Sequence, residues 1–249
     1  MVNFTFHTPT KVLFGVGRIK EIGSEIKKFQ VRKVLLVAGG GSIKKNGVYD
    51  AVTESLREHG VEWIELWGVV PNPVLSKVME GISLAKQSGV DGVLAVGGGS
   101  VIDTAKAIAS GVYLQDVWAS FLGKEKITEA LPVFVVLTIS ATGSESNGNF
   151  VITNEETKQK LGNHSPLVYP KVSIIDPSVQ RTLPWNQTAN GASDALAHIM
   201  ESYFSGGGSE TTLYVDEALS KAIIDATDKL MLNEDDLEAR ANLAWAATL

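Results

Sequence analysis

Residues 190–204, NGASDALAHIMESYF, place Asp194 and His198 four residues apart. On a helix that spacing is about one turn, so a carboxylate and an imidazole project from the same face. Oxygen and nitrogen donors of this kind suit divalent iron, zinc or manganese. Two donors are half of a four-ligand site, and spacing alone fits a polar pair on a helix surface better than a metal. The other histidines, His7, His59 and His164, fall in an N-terminal segment, a helix end and a loop, and none repeats a ligand spacing.

A second chemistry is offered by VLAVGGGSVIDTAKAIA, where Gly97, Gly98 and Gly99 stand between an apolar run and a helical pattern. Without β-carbons, such a turn lets a polyphosphate reach free backbone N–H groups at a helix start. Ser100 adds a hydroxyl, and Asp103 is expected in the first helical turn, where its charge complements the dipole. A tight strand-to-helix turn accounts for the glycines equally well. The run has neither the GK[ST] ending of a Walker loop nor the spacing of G-x-G-x-x-G.

VAGGGS at 37–42 repeats the arrangement, with Gly39, Gly40, Gly41 and Ser42 after another apolar run. Dinucleotide folds often carry an acidic residue near this place for the ribose 2′-hydroxyl. Here glycines, Ser42, Lys44 and Lys45 leave room for a 2′-phosphate, which favours NADP(H) over NAD(H) if the loop reaches the ribose. A second ordinary turn is the competing reading.

TISATGSESNGN at 138–149 is dense in small hydroxyl and amide groups, and Thr138, Ser140, Thr142 and Asn149 can hydrogen-bond a nicotinamide or pyrophosphate. Ser144 followed by Glu145 raises hydrolase chemistry, but there is no GxSxG and no histidine base at a recognisable place.

The elements that must hold these groups alternate. VRKVLLVA, VEWIELWGVV, DGVLAV, LPVFVVLTI and KVSIIDP read as strands, and VYDAVTESLREHG, VLSKVMEGISLAKQSG and VIDTAKAIASG as helices between them. That order predicts a mostly parallel α/β sheet with right-handed crossovers. NFVIT reads as a short hairpin strand and KQKLGNHSPLVYP as a connecting loop.

From LPWNQTANGASDALAH onward the period is helical, so a Rossmann-like domain over 1–183 and a helical region over 184–249 are expected, with Pro184 near a helix start. SGGGSE at 205–210 reads as an inter-helix loop. DDLEARANLAWAATL begins on an acidic cap and stays apolar to Leu249. Left exposed, such a helix needs a partner to cover it, or the chain is cut short.

Composition closes off other classes. The 249 residues carry 28 acidic and 22 basic side chains, net −6, with no dense Lys/Arg stripe, which argues against a nucleic-acid partner. With no cysteine, disulfides, thiolate metal sites and cysteine nucleophiles are excluded. No leader pattern or long apolar run is seen, so a soluble protein in the cytoplasm, with no membrane partner, is expected. Trp118, Trp185 and Trp245 read as packing residues rather than a base-stacking platform.

Taken together, HTPTKVLFGVG, PNP, GGGSVIDTAKAIA, TISATGSESNG and GASDALAH resemble the iron-containing (group III) alcohol dehydrogenases, most closely their butanol dehydrogenase branch. The resemblance runs in order through all 249 residues. It implies a Rossmann-like domain followed by an all-helical one, with hydride passing in the cleft between NAD(P)H and a primary alcohol or aldehyde such as butanol or butyraldehyde. It also implies a homodimer.

Carried over by position, Gly39, Gly40, Gly41 and Ser42 would meet the adenosine ribose, with Asn72 nearby. Gly97, Gly98, Gly99, Ser100 and Asp103 would surround the pyrophosphate and nicotinamide side. Thr138, Ser140, Thr142 and Ser144 match the hydroxyl-rich loop, Asn149, Lys160, Val179 and Leu183 match further cofactor-lining positions, and Asp194 and His198 match the first two metal ligands. No side chain is assigned as general acid or base. Ser146 stands where the family often has a hydrophobic residue. The family's other two ligands are histidines beyond Leu249, so the resemblance implies a chain that stops short of its family, with nucleotide binding or interaction without turnover as the alternative function.

Overall fold

A computed structural model of the chain describes residues 3, 5–205 and 209–249. Six parallel strands form the main sheet: β1 (Lys11–Phe14), β2 (Lys33–Ala38), β3 (Glu62–Leu66), β4 (Gly92–Gly97), β5 (Val133–Leu137) and β8 (Val172–Ile175). Their order across the sheet is β1-β8-β5-β4-β2-β3. The central strands are apolar on both faces because helices cover both, and Leu35, Leu36, Leu94, Ala95, Phe134 and Val135 are fully buried.

The covering helices are α1 (Ile22–Lys28), α2 (Ser42–Lys45), α3 (Val48–Glu58), α4 (Leu75–Ser88), α5 (Gly99–Gly111) and α6 (Val117–Phe121). From β2 the chain moves outward to β3, then returns across β2 to β4. The direction of winding reverses there, and at such a switch the loops leaving two adjacent strands diverge and open a crevice. The loops in question carry Gly39–Ser42 and Gly97–Gly99.

The segment expected to be a plain connecting loop is instead half strand. β6 (Asn149–Asn154) and β7 (Gln159–His164) form an antiparallel hairpin beside the main sheet, with Asn149 opposite His164. Its pattern is weak because every other residue of β7 faces water and the strand contains Gly162. Short backbone contacts tie the hairpin to the PNP segment: Thr153 N donates to Pro73 O at 2.8 Å.

Beyond Pro184, which caps its start, α7 (Trp185–Phe204) is followed by α8 (Glu210–Leu232) and α9 (Leu237–Thr248). These three share their own core, with Ala192, Ala195, Ile223, Leu230 and Leu243 buried. The 206–208 part of the expected SGGGSE loop lies outside the described residues. Asp236 caps α9, accepting from Ala239 N at 3.0 Å.

The expectation of an uncovered α9 is corrected: Ala239, Leu243, Ala244 and Ala246 are buried within this chain, and Ala244 reaches the main sheet's core. Trp245 packs edge-on against Phe14 of β1, with ring centroids 5.6 Å apart. The apolar residues go all round this helix because neighbours lie on several sides of it. No helix among the described residues is long and apolar enough to cross a membrane.

Candidate functional site

The switch between β2 and β4 holds a cavity of about 510 Å³, walled by Gly39, Gly41, Ser42, Gly98, Thr138 and Leu183. Gly41, at φ +102°, occupies a backbone region that side chains rarely enter, and it turns the chain into α2. The second glycine turn is built as much by packing as for a ligand. A β-carbon on Gly98 would lie 2.2 Å from Ile139 Cγ2, and one on Gly99 would lie 2.7 Å from Thr142 Oγ1. The absent side chains therefore let the loop after β5 sit against the start of α5, whose first N–H groups have no partner within the helix.

Gly40 is exposed beside this hollow and Ser100 is half-buried one residue into α5. Of the two lysines, Lys45 lines the hollow. Lys44 turns away, its Nζ 4.1 Å from the Trp67 ring centroid and 5.0 Å from that of Tyr49. Below them Glu65 accepts from Trp67 Nε1 at 2.6 Å and from Tyr49. Burial would raise the Glu65 carboxyl, but these donors, Trp63 and the charge of Lys44 together hold it below the usual range.

On the other side of α5 a hollow of about 850 Å³ lies between the helix, the hydroxyl-rich loop and the β6–β7 hairpin. Asp103, Thr142, Ser144 and Asn149 wall it, and so does His198. Asp103 is not in the first turn of α5 as expected, because the helix begins at Gly99 and its first turn holds no acidic residue. Its carboxylate faces sideways, accepting from Ser144 Oγ at 2.7 Å and Val151 N at 3.0 Å. Burial pushes it above the usual carboxylate range, against the pull of Ser144, Lys106 and Val151.

Lys106 is the residue the sequence reading passed over. Three places after Asp103, it is fully buried, and its Nζ donates to Ser144 O at 2.6 Å, Ser144 Oγ at 2.8 Å and Asn149 O at 2.8 Å, with Asn147 Oδ1 at 3.2 Å. Burial, opposed by the charges of Asp103 and Glu145, brings its ammonium down to about 8. One cation thus fixes the backbone of the hydroxyl-rich loop. The available signal was a charge in the otherwise apolar run VIDTAKAIA, one turn from an aspartate.

The other residues fall around these hollows. Ser140 is buried and accepts from Gln180 Nε2 at 2.9 Å. Thr142 Oγ1 accepts from Ser144 N at 3.2 Å. Asn72, at φ +55°, accepts from Lys160 Nζ at 2.8 Å, so two expected cofactor residues pair with one another. Val179 is packed, partly buried, against one of the two cores of the main sheet. Ser144 is engaged by Lys106 and Asp103, not by a histidine, which leaves the hydrolase reading without a base.

Asp194 and His198 stand one turn apart on α7, with Asp194 Oδ2 3.9 Å from His198 Nδ1. The same Nδ1 lies 2.8 Å from Asp194 O. Donated to that carbonyl, the Nδ1 proton leaves Nε2 as the free lone pair, the tautomer a metal ligand needs. The donor types fit a divalent ion. Their number does not complete a site: among the described residues no group of three or more His, Cys, Asp or Glu side chains is placed to hold a metal.

Comparison with known proteins bears on this arrangement. The family model for iron-containing alcohol dehydrogenase matches residues 9–177. The chain is 47% identical over its whole length to NADH-dependent butanol dehydrogenase A of Clostridium acetobutylicum, covering 64% of that protein. It is 38% identical to the NADPH-dependent aldehyde reductase of Escherichia coli, again covering 64%. The crystal structure of NADH-dependent butanol dehydrogenase A from Thermotoga maritima superposes with a TM-score of 0.98 at 58% identity, over 100% of this chain and 63% of that one. The chain thus spans a little under two thirds of these relatives, and it belongs to the iron-containing alcohol dehydrogenase family.

Proposed function

We propose that residues 1–183 bind NADP(H), and NAD(H) less tightly, across the two hollows, and that Asp194 and His198 in 184–249 supply two donors for a divalent ion. The protein acting through them is an oxidoreductase of primary alcohols and aldehydes, butanol and butyraldehyde among them. The observation that carries the reading is the placement of His198 on the wall shared with Asp103, Thr142, Ser144 and Asn149. A dinucleotide laid over the glycine turns would bring its reactive ring toward a metal-type imidazole. Relatives named for NADH-dependent butanol dehydrogenase and NADPH-dependent aldehyde reductase support the reaction class.

The residues divide the work. N–H groups at the start of α5 receive the pyrophosphate, Gly39 and Ser42 leave space at the ribose for a 2′-phosphate, and Lys45 brings a positive charge to that hollow. Asn72 and Lys160 close the far side as a pair. Lys106 holds Ser144 and Asn149 in place, so that loop groups need little rearrangement on binding. Bound at Asp194 and His198, iron, zinc or manganese would supply Lewis acidity toward the substrate oxygen. A homodimer in the cytoplasm belongs to the same reading and is checked by sedimentation equilibrium and cell fractionation.

Fluorescence titration of the chain with NADPH and NADH tests the cofactor reading, and saturable binding with NADPH the tighter is expected. Gly39 has room for a side chain, the nearest atom to an added β-carbon being Val69 O at 3.5 Å. Gly39→Asp should therefore fold normally and shift the ratio of dissociation constants toward NADH by about tenfold or more, through repulsion of the 2′-phosphate. A folded chain that binds neither dinucleotide would overturn the reading, and an unchanged ratio would remove Gly39 from discrimination.

A further inference from the structure

The last turn of α9 is bonded to the hydroxyl-rich loop by two side chains. Ser146 Oγ shares its proton between Gly143 O and Thr248 O, each at 3.1 Å, and Thr248 Oγ1 lies 2.8 Å from Glu145 Oε1 and 2.9 Å from Ala244 O. Glu145 is 1% exposed and Thr248 7%. Glu145 O also accepts from Ser173 Oγ of β8 at 2.6 Å.

A threonine hydroxyl has one proton for two acceptors. With a proton on Glu145, the carboxyl donates to Thr248 and Thr248 donates to Ala244, so both contacts are satisfied. Burial favours that proton, against the pull of Thr248 and Lys106. Ser144, which Lys106 grips through both its oxygens, is the residue before Glu145.

We propose that Glu145 is a positioning residue: it carries the docking of α9 into the hydroxyl-rich loop, so that Ser144, Asn147 and Asn149 are held in shape at the nicotinamide end of a bound dinucleotide. The assignment of that end rests on the function proposed above. Glu145 faces neither hollow. It acts from behind the loop, which is how residues 237–248 reach a nucleotide they do not touch. The hydroxyl of Ser146 adds a second fastening at the same point.

The test compares the whole chain with Thr248→Val, which keeps shape and loses the hydroxyl, and with Glu145→Ala and Glu145→Gln. Hydrogen exchange is followed by mass spectrometry without nucleotide, and affinity is measured for NADPH and for adenosine 2′,5′-bisphosphate, which lacks the nicotinamide end. Thr248→Val and Glu145→Ala should speed exchange across 141–149 about tenfold, with β2 and β4 unchanged, and should weaken NADPH about tenfold, the cost of a buried hydrogen bond. The bisphosphate should stay within about twofold, and Glu145→Gln, whose amide can donate to Thr248, should behave as the unaltered chain. Unchanged exchange, equal weakening of both ligands, or a glutamine no better than alanine would overturn the proposal. If the unaltered chain binds neither ligand, the nucleotide reading falls, and the exchange arm still decides whether Thr248 and Glu145 hold the loop.

Discussion

The two halves of the candidate site are held in opposite ways. At the hydroxyl-rich loop, a fully buried ammonium meets two backbone carbonyls and a hydroxyl, and the glycine turn beside it leaves no space for a β-carbon. At α7, a carboxylate and an imidazole with side chains 46% and 52% exposed depend on one helical turn and one carbonyl contact. The first arrangement is shaped before any ligand arrives, because polar groups deep in the fold must find partners at once. The second has few protein partners, because both side chains stand half in solvent. Rigidity thus goes with the end proposed for the cofactor and exposure with the pair proposed for the metal.

That contrast can be broken at three points. Lys106→Ala has the largest expected effect: it strands Ser144 O and Asn149 O and leaves Asp103 buried without its cation. It should cost about 3–5 kcal/mol in urea unfolding. A loss below about 1 kcal/mol would mean that the loop is not organised by the lysine.

Gly191→Ala comes next. Gly191 of α7 lies against the loop after β5, and a β-carbon there would be 2.5 Å from Ser140 O, a backbone atom that cannot swing away. The cost should be about 1–3 kcal/mol, read as a lowered melting temperature. An unchanged melting point would separate α7 from the loop it is placed against. His198→Ala should have the smallest effect, below about 0.5 kcal/mol in the absence of metal, because the side chain is exposed. A larger loss would make the pair structural and erase the contrast.

Much of this was legible in the sequence because it is periodic. The five apolar runs are all strands, four of them buried on both faces and the edge strand β3 only in part, and the helices between them keep their spacing. Asp194 and His198 were legible because a four-residue interval has one meaning on a helix. β1 was not, since KVLF is too short to show alternation and gains its identity only from β8, distant in sequence. β7 was hidden by Gly162 and its polar residues.

The covering of α9 is not legible in its sequence, because an apolar stretch does not say which neighbours cover it. Lys106 escaped notice for a related reason. A lysine in a helix ordinarily reads as solvated, and only the three-dimensional convergence of Ser144, Asn147 and Asn149 makes it a centre.

The pairing of β1 with β8 sets a timetable for the growing chain. Lys11 stands opposite Val172 and its N–H donates to Lys171 O at 3.2 Å, so Lys11–Phe14 has its neighbour only after the ribosome has passed those residues. At about 5–20 residues per second the wait is roughly ten to thirty seconds. Throughout it the central strands can collapse with α3, α4 and α5 while β1 remains outside. Trp245, which covers Phe14, emerges later still. Of the six strands of this sheet, the earliest in sequence is therefore among the last to gain its neighbour.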